Sequence, residues 1–283
     1  MKNIYMIGVG LIGGSFAIDI KKNNPKAIIH GISRKEETLN KALELKLIDK
    51  KATFDDLKNA DLVIVSIPVD ATVKLLPTIL DKISETGLVV DAGSTKEAIC
   101  KVVEHHPKRR NFLACHPIAG TEKSGPTAAI SGLYAGKTNI ICEVEKTTFK
   151  LQEKALQLFK DIGMRIRYMD PVSHDKHIAY VSHLSHISAF MLGKTVINKA
   201  KNERDIFDMA GSGFESTVRL AKSSPAMWTP IFKQNKDNVI ETLEAYINNL
   251  QHFKELMQDD KFSEIFNEME NTNHIKQILN GIN

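Results

Sequence analysis

Gly8-Val9-Gly10-Leu11-Ile12-Gly13-Gly14-Ser15 stands directly behind a β-branched apolar run at residues 3–7 and opens a stretch of helical period. No other feature of the chain narrows the fold as much. A strand that turns on glycines into a helix is the context of a dinucleotide-binding loop. Gly8 permits the tight turn, Gly10 lets the backbone approach a pyrophosphate, and Gly13 lets helix and strand pack closely. The helix N-terminus, at Leu11 and Ile12, turns free N–H groups toward the phosphates. The loop also explains why Lys2 and the apolar run to Ile18 superficially resemble a secretion signal, since its glycines would weaken such a helix.

The alternation continues downstream. Candidate strands lie at 3–7, 27–32, 62–67, 88–91, 112–115, 138–143 and 164–168, with helical patterns at 15–22, 36–45 and 151–162 between several of them. Near-continuous apolar strands such as Leu62-Val63-Ile64-Val65 suit a parallel sheet covered on both faces. Residues 1–170 therefore read as an α/β, Rossmann-like, doubly wound sheet. After Asp170-Pro171 the strand signals stop, and 171–283 reads as an all-α domain. One long helix is expected over 177–199, with Ile178, Val181, Leu184, Ile187, Met191 and Leu192 along a face. Another is expected over 236–257, with Val239, Leu243, Tyr246, Leu250, Phe253 and Met257 near heptad spacing. That stripe buries itself either within the chain or against a second copy, and a homodimer through the helical domain is the expectation.

Composition excludes several classes. Hydrophobic residues make up 42% and charged residues 25%, which is incompatible with disorder. A net charge of +4 is too mild for nucleic acid, yet compatible with an anionic small molecule. Cys100, Cys115 and Cys142 form neither a disulfide framework nor a zinc set, and read as thiols of a reducing compartment. No run approaches the roughly 18–20 apolar residues of a membrane span, so a cytoplasmic protein is expected.

Cofactor preference is read about 20 residues beyond the glycines, where an NAD site carries an acid for the ribose hydroxyls. Here the strand ends in Ser33-Arg34-Lys35. Ser33 does not repel a 2′-phosphate and Arg34 can fork onto one, which favours NADP over NAD. The alternative leaves Arg34 and Lys35 solvated, with Glu36 or nothing at the ribose. Ser66 and Pro68, closing strand 62–67, complete the expected cofactor set.

Two further strands end in chemistry. Strand 88–91 runs into Gly93-Ser94-Thr95-Lys96, and strand 112–115 into His116-Pro117-Ile118-Ala119-Gly120-Thr121-Glu122-Lys123-Ser124-Gly125. Ligands of open α/β sheets bind outside the carboxyl ends of strands, so Ser94 and His116 share an edge with the glycine loop. A histidine there is either structural or a proton acceptor during hydride transfer, and Ser94 can fix its tautomer or bridge it to substrate. His174, His177, His183 and His186 are too poorly spaced for zinc, and no metal is expected. His183 and His186, near the start of the first long helix, can reach an interdomain cleft. Arg219 near Trp228 is either an exposed charge beside a core aromatic or a carboxylate clamp.

Taken in order, the glycine loop, Gly93-Ser94-Thr95-Lys96, the His116 run and Ser182-His183-Leu184-Ser185-His186 resemble the prephenate/arogenate dehydrogenases of tyrosine biosynthesis. Gly213-Phe214, Arg219 and the segment around Trp228 are similar too, so the resemblance spans nearly the whole chain. It implies oxidative decarboxylation of a cyclohexadienyl substrate: a base takes the ring hydroxyl proton as hydride leaves, and loss of carbon dioxide makes the ring aromatic. His116 matches the base, and Ser94 the serine bonded to it and to the substrate hydroxyl. Arg219 matches a carboxylate-holding arginine and His186 a substrate-binding histidine. Thr121 and Glu122 match pocket positions, and His183 and Trp228 are placed in the same pocket. Prephenate is the expected substrate because His186 suits an anionic side chain; arogenate, with an alanyl ammonium, is the alternative. A non-catalytic dinucleotide sensor would lack Ser94, His116 or Arg219, and all three are present. A β-hydroxyacid dehydrogenase would carry a lysine base on its helical domain instead of a histidine at a strand end. Three departures stand out. Ser185 replaces a common proline, which reads as a change in helix-start chemistry. The ribose acid is absent, and the length leaves no room for a regulatory or chorismate mutase domain.

Overall fold

A computed structural model describes residues 1–200 and 204–280. Strands β1 (Asn3–Ile7), β2 (Ile28–Ile32), β3 (Lys50–Lys51), β4 (Leu62–Val65), β5 (Leu88–Asp91), β6 (Phe112–Pro117), β7 (Thr138–Cys142) and β8 (Arg165–Tyr168) form one eight-stranded sheet in the order β3-β2-β1-β4-β5-β6-β7-β8. All neighbours are parallel except β6 and β7. The order reverses between β1 and β4, so the carboxyl ends of those strands flank the crevice where doubly wound sheets bind ligands.

Helices α1 (Leu11–Asn23), α2 (Glu36–Glu44), α3 (Val69–Lys82), α4 (Glu97–Val102) and α5 (Phe149–Asp161) cover the sheet. Alternate residues of each strand feed opposite layers. Ile4, Met6, Leu62 and Ile64 pack with Phe16 and Ile20 of α1 and Phe159 of α5. Tyr5, Ile7, Val63 and Val65 pack with Leu76, Ile79 and Leu80 of α3. Every residue of β4 is buried, which is why its sequence shows no polar alternation. Three elements of this sheet and its covering helices escape the sequence reading. The strand β3 has only two residues, α3 contains Pro77, and α4 is six residues long.

The remaining helices are α6 (Pro171–Ile178), α7 (Leu184–Ala200), α8 (Ser212–Val218), α9 (Pro225–Gln234), α10 (Lys236–Gln258), α11 (Phe262–Thr272) and α12 (Ile275–Asn280). A π-helical turn, Ala179–His183, joins α6 to α7. The helix expected over 177–199 thus begins six residues earlier, where Asp170 caps Ser173 N at 2.9 Å and Pro171 takes the first turn. This corrects two expectations. His183 closes the π turn and His186 follows it in α7, both inside the continuous helical run, and Ser185 is a helix-interior residue, where proline would remove an N–H. The expected apolar face is also open: Val181, Met191 and Leu192 are exposed. Trp228 and Ile231 of α9 join the β4-side core. The chain divides into two compact units, Met1–Lys236 and Asp237–Asn283. In the second, His252 of α10 meets Glu268 of α11 at 2.9 Å.

Candidate active site

The glycine loop sits at the β1–β4 reversal. Gly8 has φ +92°, and a Cβ there would fall 2.5 Å from the Ser66 carbonyl oxygen. A Cβ on Gly13 would lie 2.1 Å from the Gly8 carbonyl oxygen. Gly10 differs: a Cβ there would meet only Gly125 N, at 3.9 Å. The loop is therefore closed on its strand side and open above Gly10. No side chain caps α1, which leaves its first N–H groups to a ligand. These features fit a dinucleotide pyrophosphate. Ser66 donates to the Gly8 carbonyl at 2.7 Å, so its hydroxyl supports the loop, while Pro68 starts α3. Ser33 accepts from Lys35 N at 3.2 Å. Glu36 is tied to Lys51 at 2.7 Å, whereas Arg34 is exposed and forms no ion pair among the described residues.

His116 ends β6 on the same sheet edge and is buried. Its Nδ1 lies 2.8 Å from Nε2 of His174, and His174 Nδ1 lies 2.7 Å from Asp175 Oδ1. Ser94 forms no hydrogen bond among the described residues. Among the described residues the hydrogen-bond partner of His116 Nδ1 is thus His174. Burial above all, then the fields of His174, Lys96 and His183, push His116 well below the ordinary imidazole range. The ring is uncharged at neutral pH.

Beneath it lies a buried ion pair, Lys96 with Asp91. Lys96 Nζ also donates to the Cys115 carbonyl at 2.7 Å, and Asp91 accepts from Cys115 N and Gly93 N, each at 2.9 Å. Burial alone would discharge Lys96, but Asp91 outweighs it and raises the ammonium's pKa. A lysine held charged in this way is scaffold for β6 and the Ser94 loop. Breaking such a pair costs about 3–5 kcal/mol.

A second group lies around Trp228. His183 is fully buried, and its Nδ1 accepts from Asn235 Nδ2 at 3.2 Å. Its proton is then on Nε2, which is buried without a partner, as is Trp228 Nε1. The two rings stand edge-on with centroids 5.8 Å apart. Burial brings His183 down to about 4. His186 stacks on Trp228 at 3.5 Å and donates from Nδ1 to the Ser182 carbonyl at 2.9 Å. Burial lowers its pKa too, with Ser182 pulling upward and Arg219 downward. Arg219 pairs with Glu122 at 2.9 Å, and its side chain is 53% exposed. Thr121 is exposed, its hydroxyl accepting from Lys123 N at 3.2 Å.

The structure thus joins His116 to His174, His183 and His186 to Trp228, and Arg219 to Glu122. His174 enters the sequence reading only as one of four histidines, Lys96 only as the end of the Gly93-Ser94-Thr95-Lys96 run, and Asp175 and Asn235 are given no role there. The His116–His174, Asn235–Asp175 and Lys96–Asp175 bonds span 58, 60 and 79 positions, and no local pattern signals them. A cavity of about 540 Å³ lies between α7 and α9 but shares only Trp228 with the expected site, and its lining is mostly apolar. Among the described residues no three His, Cys, Asp or Glu side chains are grouped to hold a metal.

Residues 16–168 match the family model for the prephenate dehydrogenase nucleotide-binding domain, and residues 170–271 match that for its dimerization domain. The chain belongs to the prephenate dehydrogenase family. Prephenate dehydrogenase of Bacillus subtilis (strain 168) is 31% identical over 271 residues, 93% of this chain and 72% of that protein. Prephenate dehydrogenase of Lactococcus lactis subsp. cremoris (strain MG1363) is 32% identical over 88% of this chain and 70% of its own length. The crystal structure of prephenate dehydrogenase from Aquifex aeolicus, in complex with hydroxyphenyl propionate and NAD+, superposes with a TM-score of 0.89. That pair shares 33% identity and covers 99% of this chain and 98% of the other.

Proposed function

We propose that this chain oxidatively decarboxylates prephenate to 4-hydroxyphenylpyruvate, with NADP preferred over NAD. The observation that carries the reading is His116, a buried, uncharged imidazole on the sheet edge that bears the open glycine loop. A bound nicotinamide ring supplies the hydride acceptor. Gly8, Gly10 and Gly13 with the α1 N-terminus hold the pyrophosphate, and Arg34 takes a 2′-phosphate. His116 accepts the ring hydroxyl proton as the carbonyl character of the ring oxygen develops. It returns that proton when the electron pair of the ring-carboxylate bond moves into the ring, leaving a phenol and carbon dioxide. Ser94, on the adjoining loop, bonds the same hydroxyl. His183 and Trp228 back the substrate pocket, and Arg219 and His186 meet the carboxylates, with Thr121 and Glu122 at the pocket's rim.

Arogenate is the second reading, and one observation favours it. An uncharged His186 that donates from Nδ1 to Ser182 offers Nε2 as an acceptor, which suits an ammonium. Residues 1–170 serve the cofactor, and 171–283 the substrate and a homodimer interface. The reducing cytoplasm is the proposed compartment: the three cysteines are free and buried, and burial pushes Cys142 up to about 12. No helix among the described residues is long and apolar enough to cross a membrane.

Steady-state turnover with prephenate and arogenate, each against NAD and NADP, tests the reading by nicotinamide absorbance. Fastest reduction with prephenate and NADP is expected, with His116→Asn lowering kcat about 10²–10⁴-fold while dinucleotide affinity holds. Folded protein that binds dinucleotide but reduces it with neither substrate would replace the enzyme by a sensor.

A further inference from the structure

With His174 as a single-proton ring, the hydrogen bonds behind His116 run in one direction. Asp175 Oδ1 faces His174 Nδ1 at 2.7 Å, and an ionised carboxylate oxygen only accepts, so His174 carries a proton on Nδ1. In the uncharged ring the other nitrogen, Nε2, is then a lone pair. That lone pair lies 2.8 Å from His116 Nδ1, which must therefore be the protonated nitrogen of His116. His116 Nε2 is left as its free lone pair.

Asp175 is itself pinned. It accepts from Lys96 N at 2.7 Å and Glu97 N at 3.0 Å, and its carbonyl accepts from Asn235 Nδ2 at 2.6 Å. One buried carboxylate thus ties α6 to the loop that carries Ser94 and, through His174, to His116. Asp175 and His174 are each 2% exposed. Such a group is costly to bury unless its bonds are all made.

We propose that His174 and Asp175 are positioning residues that hold His116 in the Nδ1–H tautomer, so that Nε2 is the atom that takes the substrate proton. The inference rests on His116 being the base. In the step, the substrate O–H bond breaks and an Nε2–H bond forms. The resulting imidazolium keeps its Nδ1–H on His174 Nε2, and no proton moves to Asp175. The charged and titratable groups facing His116 and His174 are Asp175 on α6, Lys96 on the loop after β5, itself paired with Asp91, and His183 on the π turn.

Ring nitrogen-15 spectra of the uniformly labelled protein read the tautomers directly, without turnover. The Nδ1–H form is expected at both His116 and His174. Finding Nε2–H at His116, with His174 doubly protonated, would overturn the proposal. His174→Phe removes the acceptor and is expected to turn His116 to Nε2–H and lower kcat at least about 10²-fold, with substrate KM changed less than threefold. His174→Gln, whose amide oxygen can accept from His116 Nδ1–H, is expected to restore much of kcat and of the acid limb of the pH profile. An unchanged kcat in His174→Phe, or equal losses in both variants with wild-type tautomers, would also overturn it. Should His174→Phe fail to fold, the wild-type spectrum and His174→Gln decide. Absent turnover in wild-type protein with the expected tautomers would strike at the reaction, whereas turnover with the opposite tautomer would strike at the relay alone.

Discussion

His186 carries a pH signature that separates the two substrates. Its lowered pKa leaves it uncharged near neutrality, and Nδ1 is already committed to Ser182. To meet a carboxylate, Nε2 must take up a proton, so binding and protonation are linked. Raising pH opposes that uptake. The KM for prephenate is therefore expected to rise with pH, by up to about tenfold per unit, and His186→Asn should flatten the slope. For arogenate, whose ammonium suits the uncharged ring, no such rise is expected. Initial rates from pH 6 to 9 (about one unit apart) check both. Arg34 makes the second residue-scale prediction. It is exposed and unpaired among the described residues, while Glu36 is held by Lys51. Charge-assisted hydrogen bonds contribute about 1.5–3 kcal/mol. Arg34→Ala should then weaken NADP binding about 10–100-fold and leave NAD binding unchanged, as read by titration calorimetry. Equal losses for both dinucleotides would remove the argument for NADP.

At the scale of elements, the glycine loop separates folding from binding. Gly13→Ala places a methyl 2.1 Å from a backbone oxygen, and overpacking of that kind costs about 1–3 kcal/mol. Its apo Tm should fall. Gly10→Ala meets open space and should leave Tm unchanged while dinucleotide affinity drops at least about tenfold. Loss of Tm in both variants would mean that Gly10, too, is only a packing residue. The same elements show what periodicity can and cannot reveal. The strand edges at Asn3–Ile7 and Leu88–Asp91 are visible because burial on both faces demands unbroken apolar runs. The helix with Pro77 is hidden because a proline usually ends one. The π turn at Ala179–His183 is hidden because one extra residue per turn leaves no compositional mark.

On the scale of the whole molecule, the helical half leaves a large apolar surface uncovered. Leu250, Phe253 and Met257, half of the heptad stripe of α10, are 53%, 37% and 52% exposed. Exposed apolar area of this extent marks an interface. The protein is expected to be a dimer by light scattering, and Leu250→Glu with Phe253→Glu should yield monomers; a monomeric wild type would refute the interface. Stability should carry the mark of buried histidine. His183 titrates at about 4 in the fold against an ordinary value near 6.5, so the unfolded chain binds the proton first. This stabilisation, on the order of 3 kcal/mol, is complete above 6.5 and is lost as pH falls toward 4. Urea titrations at pH 7 and 5 should show the loss, and His183→Phe should reduce it. The amino-acid sequence by itself determined the doubly wound sheet, the glycine loop, the helical half and the presence of His116 at a strand end. Each of these follows from spacing between near neighbours, where backbone geometry turns a local pattern into a local shape. Only the tertiary structure decided that His116 is hydrogen-bonded to His174, that Asp175 closes on the Ser94 loop, and that Arg219 meets Glu122 at the surface. Those contacts join residues 58, 79 and 97 positions apart. Their partners are chosen by how layers pack and by which buried polar atoms must be satisfied, and neither is written in any short stretch of chain.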